Sequence, residues 1–179
     1  MVTGLMALAL AASPAEERPT AGILTVPHID CISRQVSPAD SRNWFNMARS
    51  GRETDAFVMA ESPAMRCRKD HGWTQAQTRT AFRVALMDGW MREDGLISKI
   101  RKIGDFRDFL DSYYADNVKP DGRHILEHLF VSGKMDRDLT AEGYPADPES
   151  RELAYNYWEW RGALWDLEEE FRKGASDKP

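Results

Sequence analysis

Six large side chains near the C-terminus, Leu153, Tyr157, Trp160, Leu164, Leu167 and Phe171, follow one another in alternating steps of four and three residues. That spacing lines them up along one stripe of an α-helix and scatters them over both faces of a strand, whose side chains repeat every second residue. The run opens at Asp147-Pro148-Glu149 and closes before Gly174. An acceptor side chain and a first-turn proline thus start it, and a glycine ends it. The spacing predicts a long helix over 148–173. Its seam suits a coiled coil or the interior of the chain's own fold, and the Trp and Tyr in it favour irregular packing inside one molecule. Tyr155, Trp158 and Trp165 flank the seam, either as its packed edge or as an aromatic row able to stack on sugars or peptides.

Similar signals divide the rest of the chain. Pro27 followed by Ile29, Ile32 and Val36 predicts a short helix carrying Cys31. Ser37-Pro38-Ala39-Asp40 is a strong helix start, and the helix it opens buries Trp44, Phe45 and Ala48 and stops before Gly51. Helices over 53–60 and from Ser62-Pro63 to His71-Gly72 come next, the second bearing Cys67. Thr74 and Gln77 form a capping box for a helix from 75 to about 92 that is apolar on two sides, with Phe82, Ala85, Leu86, Gly89 and Trp90 on one and Val84, Met87 and Met91 on the other. A helix apolar on two sides is packed on two sides, which makes it the central one. Leu96, Ile97, Ile100 and Ile103 lie on one side of Gly104 and Phe106, Phe109, Leu110 and Tyr113 on the other, as one helix or two. Ile125, Leu126, Leu129 and Phe130 carry a further helix to Gly133, and 134–147 reads as a loop. No stretch alternates apolar and polar residues for long enough to make a sheet. The fold class is all-α: an irregular bundle of about six to eight helices over 26–174, with a tail at 175–179.

The chain has 179 residues, 42% hydrophobic and 30% charged, which fits one domain with one core. Its net charge of -5 and scattered basic residues provide no groove for tracking phosphates, so nucleic acid is not an expected partner. Residues 1–15 carry no charge, run through Leu5, Leu8 and Leu10, and end Ser13-Pro14-Ala15. The stretch is too short to cross a bilayer and fits a secretory signal cleaved after Ala15, although no Lys or Arg precedes it. Residues 16–25 then form a flexible leader. Export to a periplasmic or secreted location is the expectation, with no membrane span in the mature chain. In an oxidising compartment Cys31 and Cys67, the two cysteines present, pair with each other and clamp the first helix to the fourth.

One motif carries chemical content. His124-Ile125-Leu126-Glu127-His128 is H-x-x-E-H on a helix, with two imidazoles four residues apart on one face and an acid able to activate a metal-bound water. It resembles the inverted zinc-peptidase signature of the pitrilysin and insulin-degrading family, and Gly122, Phe130 and Gly133 echo that family's flanks. The resemblance covers about a dozen residues and implies His124 and His128 as zinc ligands, Glu127 as general base, and a later Glu as third ligand, for which Glu152 and Glu159 are available. On the helical wheel these three residues lie opposite the apolar arc of Ile125, Leu126, Leu129 and Phe130, where solvent usually is, and Arg123 stands four residues before Glu127 as a surface partner. No phosphate loop, dinucleotide fingerprint, nucleophile elbow or C-x-x-C occurs. The expected function is that of a non-catalytic exported domain binding a protein or small ligand without a cofactor. The alternative is a zinc-dependent hydrolase.

Overall fold

The structure, a computed structural model, describes residues 23–93, 95–119 and 122–175. The expected signal segment, residues 16–22 of the leader and the tail from 176 lie outside the described residues. Asp147 starts the last helix, its carboxylate accepting the Glu149 and Ser150 amide hydrogens at 3.0 and 3.1 Å. These bonds, with those from Ser150 foremost, hold the Asp147 carboxyl below the usual carboxylate range. From there α10 runs Pro148–Gly174, and all six seam residues are buried, with Tyr157 and Trp160 fully so. The seam therefore faces the protein's own interior. Trp158 is buried as completely, which removes it from any exposed aromatic row. Its indole donates to the Leu110 carbonyl at 2.8 Å, and that of Trp160 to the Met87 carbonyl at 3.1 Å. Two large apolar bodies thus enter the core without leaving a donor unpaired.

Before α10 come α1 (Cys31–Arg34), α2 (Pro38–Arg49), α3 (Glu53–Met59), α4 (Glu61–His71), α5 (Gln75–Glu93), α6 (Leu96–Arg101), α7 (Phe106–Tyr113), α8 (Ile125–Val131) and α9 (Lys134–Ala141). A π-helical turn, Tyr114–Val118, continues α7, and the described residues hold no strand. The helix count exceeds that from periodicity for two local reasons. Gly104 takes φ +62° and splits α6 from α7. Lys134–Ala141, read from the sequence as loop, is a helix held by Met135 and Leu139, both fully buried. One apolar pair four residues apart is too short a period to register in a sequence.

Helix α5 is central, touching α1, α2, α4, α6 and α10. Its capping box forms: the Thr74 amide donates to Gln77 Oε1 at 3.0 Å and the Gln77 amide to Thr74 Oγ1 at 3.1 Å. The same Thr74 hydroxyl donates to the Gly174 carbonyl at 2.9 Å, so the start of α5 satisfies the end of α10. Cys31 and Cys67 form a disulfide, joining α1 to α4 across 36 residues with Cα atoms 6.0 Å apart. No helix of the described residues is long and apolar enough to cross a membrane.

Candidate functional site

His124 immediately precedes α8, Glu127 and His128 lie on it, and all three are exposed while Leu126 and Leu129 are buried beneath them. Arg123 pairs with Asp166 at 3.6 Å rather than with Glu127. Its methylenes lie against Gly162, where an added Cβ would stand 2.1 Å from Arg123 Cδ. Of the two later carboxylates, Glu152 lines a cavity with Leu96 and Lys99 on the α6 side of α10. Glu159 lies near Tyr155, whose hydroxyl pKa is raised by burial and then by the charge of Glu159 and, more weakly, of Glu127. Among the described residues no group of three His, Cys, Asp or Glu side chains is placed to hold one metal ion. Among the described residues, then, no third donor stands with His124, Glu127 and His128 to complete the zinc set that the motif implies.

Perturbed side chains and open volume coincide elsewhere, in a cleft of about 550 Å³ between α7 with its π-turn and α9. Its position follows from α7, whose Phe106, Leu110 and Tyr113 are buried while Asp108 and Ser112 are exposed. The π-turn adds a residue to the backbone circuit and buries Tyr114 directly after Tyr113. Such turns are rare and recur at functional sites. Tyr113 forms the floor: it stacks on Trp158 with centroids 4.6 Å apart, and its hydroxyl donates to Asp138 Oδ2 at 2.8 Å. Lys134 from α9 places its ammonium 5.2 Å from the centre of the same ring, donates to Asp138, and reaches Asn117 Oδ1 at 3.2 Å. The protein therefore already seats one ammonium on an aromatic face beside a carboxylate and an amide.

Burial alone would raise the Asp138 carboxyl, but the bonds from Lys134 and Tyr113 outweigh it and hold the group below its ordinary range. Asp138 thus stays ionised. Around this centre the rim carries Asp108, Asp116 and Glu142, all exposed, whose carboxylates have no hydrogen-bond or ion-pair partner among the described residues. Four carboxylates face one lysine across the cleft. The cleft is hidden in the sequence because its residues come from α7, the π-turn and α9, and the single apolar pair of α9, Met135 and Leu139, is too short a period to mark a helix. A second missed contact is the stacking of His28 on His71, centroids 4.4 Å apart. His28 lies three residues before Cys31 and His71 four after Cys67, so the pairing of the cysteines contained the signal.

The chain's five tyrosines all have hydroxyls raised above the ordinary value of 10, with burial the leading cause for each. The hydroxyls of Tyr113, Tyr144 and Tyr157 also donate to carboxylates. A group whose pKa is higher folded than unfolded contributes stability that is fully present below about pH 10 and is lost as pH rises beyond it, because the unfolded chain ionises first. Alkaline titration is expected to leave the near-ultraviolet phenolate absorbance low past pH 10, then raise it together with loss of helical circular dichroism. Independent phenolate titration near pH 10 with the helices intact would contradict this.

Comparison of the chain with protein-family models, with curated proteins and with solved structures returns no match.

Proposed function

We propose that the protein is an exported, non-catalytic binding domain, and that the cleft between α7 and α9 takes a small organic amine. The observation that carries this reading is the seating of the Lys134 ammonium on Tyr113 beside three rim carboxylates that have no partner among the described residues. Trp158 and Lys134 already occupy the Tyr113 ring, so an incoming amine meets the rim carboxylates for its N–H groups, with Phe109 along the cleft wall. A volume of about 550 Å³ falls in the range of small-molecule sites. Because Asp108, Asp116 and Glu142 stand apart around an open rim, a ligand with several amines matches better than a single point charge. Export is supported by the apolar first fifteen residues ending Ser13-Pro14-Ala15 and by the Cys31–Cys67 disulfide.

Spermidine titrated calorimetrically at low ionic strength tests the reading. The triple variant Asp108→Asn, Asp116→Asn, Glu142→Gln is expected to lose at least about tenfold in affinity, since each exposed charge pair is worth up to about 1 kcal/mol. A charge-matched variant with remote changes, Glu53→Gln, Glu61→Gln and Asp70→Asn, separates site from net charge and is expected to bind as the parent does. Equal losses in both variants, or none in the first, would refute the cleft as the site.

A further inference from the structure

The π-turn faces a second cavity on its other side. Of about 330 Å³, it lies between the segment 23–25 and the C-terminal half of α10. Its charge is opposite to that of the amine cleft. Lys119, Arg161 and Arg172 line it with one carboxylate, Glu168. Glu168 is only 5% exposed and is already engaged, its Oε1 accepting the Thr25 amide at 2.5 Å, the Thr25 hydroxyl at 2.9 Å and the Val26 amide at 2.7 Å. That carboxylate ties the incoming chain down as one wall of the cavity and has little left to offer a ligand. Leu164 and Trp165 add apolar surface.

Tyr114 contributes a hydroxyl to this cavity. The residue as a whole is 3% exposed and lines the cavity, and its hydroxyl, which makes no hydrogen bond among the described residues, is not one of the enclosed polar atoms. The hydroxyl therefore opens to the cavity, where a ligand can accept its hydrogen. Burial raises its pKa, with Arg161 acting in the opposite sense, so the hydroxyl stays protonated and is a donor. The Arg161 guanidinium lies 5.2 Å from the centre of the Tyr114 ring and 3.2 Å from Asp111, which fixes it behind the phenol. Lys119 forms no ion pair among the described residues. A phenol O–H, an ammonium and a nearby guanidinium, beside an indole and a leucine, complement an anion on an apolar body.

We propose that this cavity binds a small organic carboxylate, the carboxylate accepting from Tyr114 and Lys119 and the apolar part resting on Trp165 and Leu164. The site is separate from the amine cleft, so either assignment can fail alone. Naphthalene-2-carboxylate is the probe and naphthalene-2-carboxamide its neutral counterpart, each titrated calorimetrically into the full protein. The expected result is one equivalent of carboxylate bound and at least tenfold weaker carboxamide. Tyr114→Phe, which removes an oxygen that makes no hydrogen bond among the described residues, is expected to leave the melting temperature unchanged and weaken the carboxylate about tenfold. Lys119→Gln, at an exposed position, is expected to weaken it to a similar extent and keeps the test open should the tyrosine variant misfold. Failure of the carboxylate to bind, equal binding of the carboxamide, or parental affinity in the lysine variant would overturn the proposal.

Discussion

Replacing Cys31 and Cys67 together by alanine is expected to lower the unfolding free energy by about 3–4 kcal/mol. The bridge closes a loop of 36 residues of separation, and a cross-link of that span removes conformational freedom mainly from the unfolded chain. The native surroundings are kept by other contacts: α1 and α4 both rest on α5, and Gln35 Nε2 reaches the two sulfurs at 3.3 and 2.9 Å. The helical circular dichroism at low temperature should therefore survive while the melting temperature falls by about 10 °C. Thermal melts of the parent with and without reductant, beside the double variant, provide the check. Identical melts in all three samples would mean that the bridge does not constrain the chain.

Gly89→Ala is expected to cost about 3 kcal/mol in urea unfolding, despite the roughly 1 kcal/mol that alanine gains over glycine as a helix former. A Cβ there would stand 2.1 Å from the Ser41 carbonyl oxygen and 2.8 Å from Phe45 Cβ, so the backbones of α2 and α5 would have to part. Gly162 is the internal control, since its added Cβ would meet Arg123 Cδ at the same 2.1 Å. There the obstacle is an arginine whose ion pair with Asp166, at 3.6 Å, lies at the surface. Such a pair is worth a few tenths of a kcal/mol, so Gly162→Ala should fall within about 1 kcal/mol of the parent. Equal effects at the two glycines would show that α2 and α5 are not in close backbone contact.

The sequence made legible those parts of the fold that rest on a sustained period or a local cap. The α10 seam, the Thr74–Gln77 box and the Ser37 and Asp147 caps all depend on neighbours within four residues, and all are present. Apolar faces on two sides of α5 likewise placed it at the centre. What stayed hidden depends on pairings across the chain. Nothing local to Tyr113 announces a π-turn, and nothing local to Asp138 announces that its carboxylate meets a tyrosine 25 residues earlier. Glu168 sits in an acidic run that looks solvated, yet it turns inward to hold Thr25 and Val26. The H-x-x-E-H motif is the converse case: its spacing is local and its helix forms, but the third donor needed for metal chemistry is a long-range requirement that the chain does not meet among the described residues.

Amide chemical-shift mapping of the labelled protein on addition of spermidine addresses the function most directly. Saturable shifts confined to the lining of the cleft, over 108–117 and 134–142, are expected. Shifts centred on the acidic run at 166–170, or spread evenly over the surface, would contradict that, because binding would then follow bulk charge and not the site built on Tyr113.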